Sequence, residues 1–483
     1  MTALEFDVAS FGLGTAAAAI LAYFLVVNTF YAVLLVSAAL EMVRHRRRTR
    51  GESLWRLLQV PGLPRITVIS PAYREEATIV ESVSALLTLS YPDLEVVVVC
   101  DGSPDATLDA LKRGFSLRRV HPVRRGLIPT RPIREMYRSQ ATPRLLVVDK
   151  ENGGKADALN VGLNVATGDL VCAIDADTLI APDALLRLIG AFIAEPGVLA
   201  AGGTIRLANG ATVRSGRVVD LHAPTELLAG LQVVEYLRAF LFGRLGWNRL
   251  GGNLIISGAF GLFRRDAVVA AGGYRHGSVG EDMELVVRLR RQARERGEPD
   301  VVRFIPDPVA WTEAPVSLAI LSRQRDRWHR GLADTLWRHR RLLLSPRYGA
   351  LGLVLVPYFV FVELLAPIVE ALGIVGLVLG LLLGVVSLPF AVMFFLVAYG
   401  YGAILTVATL ALDELSYRKY LRLRDHLALL GFALIENFGY RQLTVLWRLG
   451  GLVGFLRKRS EWGGMERRGF ADQYEESVRP AAS

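Results

Sequence analysis

Short clusters of polar residues carry the chemistry this chain can do. Asp175-Ala176-Asp177 follows directly on the apolar run from Leu170 to Ile174. Residues i and i+2 of an extended segment point the same way. The two carboxylates can therefore hold a hard divalent cation, which in turn grips a diphosphate. Asp101-Gly102-Ser103-Pro104-Asp105 ends a second apolar run. A carboxylate there can accept from the N3–H of a uracil, and Gly102 lets the backbone come close; the same residues also read as a turn and helix cap. Pro71-Ala72-Tyr73-Arg74-Glu75 follows a third run and offers an aromatic face to a base. Lys155 opens a helix behind Gly153 and Gly154, a setting suited to phosphate oxygens.

Two further clusters lie downstream. Glu281-Asp282 follows Gly280 and starts an amphipathic helix from Met283 to about Arg294. An acid pair at a helix start complements the dipole, and one of the two, positioned by its neighbours, can take a proton from an attacking hydroxyl. Ser257-Gly258-Ala259-Phe260 supplies small residues for a close-fitting floor nearby. In Gln324-Arg325-Asp326-Arg327-Trp328, the residues Gln324, Arg327 and Trp328 fall at i, i+3 and i+4 of a helix. Amide, guanidinium and indole then share one face, which suits a sugar beside a phosphate, while Arg325 and Asp326 fall off it, toward solvent or helix packing.

The elements that must position these groups alternate. The strands expected are Ile66 to Ser70, Glu95 to Val99, Leu145 to Val148 and Leu170 to Ile174, with helices from Glu76 to Leu89 and Ala156 to Ala166. Such alternation predicts a mostly parallel sheet covered by helices on both faces, with ligands at the carboxyl ends of the strands. No G-x-G-x-x-G follows the first strand, which argues against a nicotinamide or flavin dinucleotide. No Ser/His/Asp or Cys/His pattern, metalloprotease motif, Walker loop or zinc spacing occurs. Phe115 to Arg144, rich in Arg and Pro, reads as a solvated excursion.

Bulk properties place this block between apolar ends. The 483 residues are 52% hydrophobic with a net charge of +10. The basic residues sit beside apolar segments, as in Arg44-His45-Arg46-Arg47-Arg48 and Arg457-Lys458-Arg459. That distribution fits anionic membrane lipids and argues against nucleic acid, for which no basic stripe with interleaved aromatics is present. Cys100 and Cys172 each fall in a strand-like run and read as small buried hydrophobes. Gly12 to Leu40 is long enough to span a bilayer, and the arginines that follow put the rest of the chain on the cytoplasmic side. Leu351 to about Leu412 fits two more crossings, with Glu363 and Glu370 inside them facing a polar cavity or bundle interior, or else lying near an interface. The expected organisation is an N-terminal span (1–42), a basic linker (43–64), a catalytic domain (65–310), interfacial helices (311–346), two spans (347–412), interfacial or re-entrant helices (413–456) and a cytoplasmic tail (457–483).

Taken in order, Pro71 to Glu75, Asp101-Gly102-Ser103, Gly154-Lys155, Asp175-Ala176-Asp177, Gly280-Glu281-Asp282 and Gln324-x-x-Arg327-Trp328 resemble the processive, membrane-embedded family 2 glycosyltransferases, among them cellulose, chitin, hyaluronan and poly-N-acetylglucosamine synthases. The resemblance implies an α/β fold with a Rossmann-like GT-A domain, flanked by transmembrane and interfacial helices, in the inner membrane. It implies that Tyr73, Glu75 and Asp101 hold the uridine, that Lys155 lies near the diphosphate, that Asp175 contacts the nucleotide and that Asp177 binds Mg²⁺ or Mn²⁺. Asp282 becomes the general base of an inverting transfer, with Gly258 on the acceptor side. Gln324, Arg327 and Trp328 become the acceptor end that helps neutralise departing UDP. The donor implied is UDP-N-acetylglucosamine or UDP-glucose, and the acceptor a growing polysaccharide passed through the membrane, with an envelope export factor as a further partner. Three positions depart from the family pattern: Arg74 replaces the usual Asn, Cys100 a second acid or Asn, and Gly280 the usual Thr. Trp462-Gly463-Gly464 with Arg467 and Arg468 is similar in place to a mobile gating segment of some relatives, and equally reads as an interfacial anchor. Transfer of one sugar to a membrane lipid, and an inactive export subunit, are the alternative functions.

Overall fold

The structure is a computed structural model that describes residues 3–49, 54–58, 60–121, 126–175, 178–214, 216–417, 420 and 422–458, with side chains from Gly14 onward. The described residues divide into two units. One comprises residues up to Met42 together with Thr225–Gly251 and the chain from Pro315; the other comprises Val43–Pro224 and Gly252–Ala314. Ala176, Asp177 and the Trp462 segment lie outside the described residues.

The second unit is built on strands β1 (Ile66–Ala72), β2 (Leu94–Asp101), β3 (Leu117–Val120), β4 (Ile133–Ser139), β5 (Leu145–Lys150) and β6 (Leu170–Ile174). It continues with β7 (Leu179–Ile180), β8 (Val198–Leu207), a hairpin of β9 (Ala211–Arg214) and β10 (Arg217–Leu221), then β11 (Phe260–Arg264) and β12 (Val301–Thr312). Ten strands form one sheet in the order β3-β4-β5-β2-β1-β6-β11-β8-β12-β7. Its centre, β5-β2-β1-β6, is parallel, as the unbroken apolar run Val96–Val99, buried throughout, requires of a strand covered on both faces. The flanks are antiparallel at β3-β4, β4-β5, β6-β11, β11-β8 and β12-β7. β3 and β4 correct the expectation for Phe115 to Arg144: the segment extends the sheet. Its Arg-rich pattern reflects an edge strand, where exposed charge discourages pairing with other chains.

The helix Lys155–Val165 is buried from Asp157 to Val165, so its polar residues must find partners. Asn160 accepts from the Tyr274 amide at 2.7 Å and donates to its carbonyl at 2.8 Å. Asn164 does the same for Ile128, at 3.0 and 2.8 Å. Two loops are thereby tied to the helix that Lys155 opens.

The first unit is helical. Among the described residues two helices, Gly14–Thr49 and Leu388–Tyr417, are long and apolar enough to cross a membrane, and Leu351–Leu364 with Ala366–Leu382, bent by 40°, makes a third if the pair counts as one span. Leu382, Leu388 and Ile404 are among its exposed large apolar side chains. The two carboxylates of the apolar region are partnered: Glu370 meets Arg441 at 2.8 Å, and Glu363 accepts from Tyr358 at 2.9 Å with Arg448 at 3.8 Å. Both arginines belong to the helix Tyr440–Leu456. That helix approaches the helix Leu318–Arg338 so closely that a Cβ on Gly451 would lie 2.5 Å from the Asp326 carbonyl oxygen; such contacts favour small residues.

Candidate active site

Neighbouring parallel strands β2, β1 and β6 bring their carboxyl ends to one edge of the sheet, and the polar clusters follow each of them. The loops after β1 and β2 are stitched together. The Arg74 amide donates to Ser103 Oγ at 2.7 Å, the Glu75 amide to Thr107 Oγ1 at 2.9 Å, and the Ala106 amide to Glu76 Oε2 at 2.9 Å. Asp105 is the knot, accepting from the Ser103 and Thr107 hydroxyls at 2.5 and 2.7 Å. Burial works against its charge, but the Ser103 and Thr107 bonds prevail and hold the carboxyl below the usual range. Arg74 takes a φ of 59°, a left-handed conformation that a non-glycine residue adopts under constraint. Its guanidinium lies 5.6 Å from the Tyr73 ring centroid, and both side chains are exposed.

Asp101 is buried. Its Oδ1 accepts from the Lys150 ammonium and, at 2.9 Å, from the Gly153 amide, and its Oδ2 accepts from the Gly154 amide at 2.8 Å. The carboxylate thus organises the loop that leads to Lys155. Glu75 accepts from Thr78 Oγ1 at 3.0 Å.

Lys155 is the centre of the site. Its Nζ lies 2.5 Å from Asp175 Oδ1 and 3.5 Å from Glu281 Oε1. Burial pulls the ammonium's pKa down, but Asp175 and Glu281, with Asp282 beyond them, outweigh it and carry the pKa above the ordinary lysine value. Lys155 is therefore a fixed cation. Asp282 stands in the first turn of the helix Glu281–Glu295, the start that the Gly280-Glu281-Asp282 pattern predicts. Its Oδ2 accepts from the Gly258 amide at 3.0 Å and its Oδ1 from the Met283 amide at 2.8 Å. Each oxygen keeps a lone pair, and the carboxylate is held in one orientation. Lys155, Ser257, Gly258, Tyr274, Glu281 and Asp282 line one cavity, and burial, reinforced by Glu281, pushes the Tyr274 phenol up.

The donor atoms facing Lys155 are carboxylate oxygens, the chemistry that suits a hard divalent cation and not a soft one. Asp177, the residue expected to bind it, lies outside the described residues, and among those described no group of three or more His, Cys, Asp or Glu is placed to hold a metal.

Gln324, Arg327 and Trp328 lie on the helix Leu318–Arg338 of the first unit, as the spacing predicts. Trp328 is 42% exposed, and Gln324 is buried with its Oε1 lacking a hydrogen-bond partner. Arg325 is a packing residue: buried, it reaches Glu235 at 2.8 Å and lies 4.6 Å from the Trp328 ring. Lys150, Asn160 and Tyr274 are contributions the motif reading passed over. The available signal for Lys150 was a lysine closing an apolar strand in a chain that has few lysines and many arginines.

Residues 64–331 match the family described as "Glycosyltransferase like family 2". The chain belongs to that family and is a glycosyltransferase. It is 27% identical over 282 residues to the poly-beta-1,6-N-acetyl-D-glucosamine synthase of Staphylococcus aureus (strain COL), covering 58% of each chain. It is 26% identical over 281 residues to the synthase of the same name from Staphylococcus epidermidis, covering 58% of this chain and 57% of that one. The chain thus spans well under two thirds of the curated relatives it matches. Among solved structures it is similar to the mannosyltransferase PcManGT from Pyrobaculum calidifontis, solved with GDP-Man and Mn²⁺. The TM-score is 0.51 at 20% identity, over 90% of this chain and 99% of that one, a likeness of fold.

Proposed function

We propose that this chain is an inverting, metal-dependent glycosyltransferase that uses a UDP-sugar, either UDP-N-acetylglucosamine or UDP-glucose, to extend a polysaccharide on the cytoplasmic face of the inner membrane and pass it across. The observation that carries the reading is Asp282, a carboxylate fixed by the Gly258 and Met283 amides on a cavity it shares with the Lys155 cation. Tyr73, Glu75 and Asp101 mark the nucleoside side, at the ends of β1 and β2. Lys155 binds the donor's diphosphate, which competes with Asp175 for the ammonium. Asp282 takes the proton of the acceptor hydroxyl as that oxygen attacks the anomeric carbon from the face opposite UDP, so that configuration inverts. Asp177, beside Asp175, is the residue assigned to Mg²⁺ or Mn²⁺, which when bound neutralises diphosphate charge. Gln324, Arg327 and Trp328, on one face of the helix Leu318–Arg338, receive the acceptor.

A second reading, transfer of a single sugar to a membrane lipid, draws on the small number of candidate spans, two or three among the described residues, which makes a narrow bundle for a polymer to cross. Protein reconstituted in bilayers and supplied with UDP-sugars and Mn²⁺ tests both. UDP release with a polymeric product supports extension, release with a single-sugar lipid product supports the second reading, and no release with any common donor overturns both.

A further inference from the structure

Lys150 closes β5 with none of its side chain exposed to solvent. Its ammonium has three N–H donors and meets three acceptors: Asp101 Oδ1, Asp157 Oδ2 at 2.7 Å, and the Glu151 carbonyl. Burying such a triad is no stability device in itself, since well-packed apolar residues of similar volume often serve a fold as well or better. Its geometry gives it another use. Asp101, held by Lys150, accepts from the consecutive amides of Gly153 and Gly154, immediately before Lys155. Asp157, also held by Lys150, lies two residues after Lys155 in the first turn of its helix, and accepts from the Arg131 amide at 3.0 Å. Lys150 therefore fixes the chain on both sides of Lys155. The amides of Gly153 and Gly154 are committed to Asp101 and do not form an outward cradle for phosphate. Recognition of a diphosphate at this loop then falls to the Lys155 ammonium, whose reach toward Asp175 and Glu281 depends on where the loop is held.

We infer that Lys150 is a positioning residue for the donor's diphosphate: it does not touch the nucleotide but sets the loop and helix turn from which Lys155 does. The inference rests on the donor role proposed for Lys155. Removing Lys150 alone leaves two buried carboxylates uncompensated and can unfold the chain, so the test uses the charge-balanced pair Lys150→Met with Asp157→Asn. UDP affinity in the presence of Mn²⁺ is measured by calorimetry on the full chain in bilayers, for the wild type, the pair, Lys155→Met, and all three changes together. The expected result is a UDP Kd raised about tenfold by the pair in the wild-type background and by less than about twofold when Lys155 is already Met, because coupled residues are not additive. A purely structural role, or an effect relayed through Asp101 to the nucleoside and not through Lys155, gives an unchanged Kd or the same factor in both backgrounds, and either result overturns the inference. A wild-type protein that binds no UDP instead overturns the proposed function, and this inference with it. A pair that does not fold, judged by its thermal transition, makes Lys150 a structural residue and counts against the inference.

Discussion

The amide of Gly258 donates to Asp282 Oδ2 at 3.0 Å, and a Cβ at Gly258 would lie 3.2 Å from Lys155 Nζ and 3.6 Å from the Asp282 carboxylate. One backbone position thus touches both the proposed base and the proposed diphosphate cation. A methyl group there fits only if the lysine tip gives by a few tenths of an ångström, and a branched side chain leaves no such choice. Gly258→Ala is expected to lower kcat/KM by about tenfold with a thermal transition close to wild type, and Gly258→Val to lower it by about a hundredfold or more. Equal activity in Gly258→Val would remove Gly258 from the site.

Asp282→Asn separates chemistry from binding. The side chain stays nearly isosteric, but one carboxylate oxygen becomes an NH₂ that faces either the Gly258 or the Met283 amide, donor against donor. Loss of a positioned general base lowers turnover by about 10² to 10⁴, while UDP affinity, which depends on Lys155 and the strand-end loops, changes by less than about threefold. Single-turnover transfer and UDP calorimetry on the same preparation read the two quantities. A variant that keeps turnover places the base elsewhere.

Metal dependence has a readout apart from activity. Asp177→Asn is expected to weaken Mn²⁺ binding by at least about tenfold, measured from the electron paramagnetic resonance signal of free Mn²⁺ in the presence of UDP. Asp175→Asn should weaken it less and release Lys155 from its 2.5 Å ion pair. Equal Mn²⁺ affinity in all three proteins would refute the assignment.

The parts of the site that were legible in the sequence are those where a local rule and a functional group coincide. Asp175 ends an apolar strand, Lys155 and Asp282 open helices, and Gln324 and Trp328 share a helix face at spacing i and i+4; strand ends and helix starts are fixed by neighbours in the chain. What the sequence concealed depends on neighbours far away in it. The Phe115 to Arg144 segment looked solvated because edge strands carry charge, and only its pairing from β3 through β4 to β5 reveals it. Helical periodicity leaves Arg325 between solvent and helix packing, and only Glu235, ninety residues earlier, decides for packing. Lys150 was one lysine among few until Asp101 and Asp157 closed around it.

The paired charges of the helical unit predict an asymmetry. Glu370 is buried against Arg441, whose Nη2 also donates to it at 3.1 Å. Removing one member strands the other charge, and Arg441→Leu alone is expected to destabilise by about 3 kcal/mol or more. Replacing both, with Glu370→Leu and Arg441→Leu, should recover most of that loss. Thermal unfolding in detergent followed by size-exclusion chromatography compares the three proteins. If the double variant is as unstable as the single one, the arginine has a task beyond its partner.

His329, one residue beyond Trp328, gives the fold a pH dependence with a definite sign. Burial first, then the neighbouring Arg448, pushes its pKa down to about 3 from an ordinary value of 6.5. The Arg448 Nε–H donates to its Nδ1 at 3.4 Å, which requires that nitrogen to be unprotonated. Between those two pKa values the unfolded chain binds a proton that the folded chain refuses, so acid favours unfolding. The stabilisation is complete above pH 6.5 and is lost progressively as the pH falls toward 3. Glu363, 3.8 Å from Arg448, offsets part of the local positive charge. His329→Gln keeps an acceptor for Arg448 but cannot titrate. Its thermal transition should therefore fall less than that of the wild type between pH 7 and about pH 5, with the two proteins most alike at the upper end. Parallel curves across that range would mean that His329 takes up its proton alike in the folded and unfolded chains, and that neither its burial nor Arg448 governs its charge.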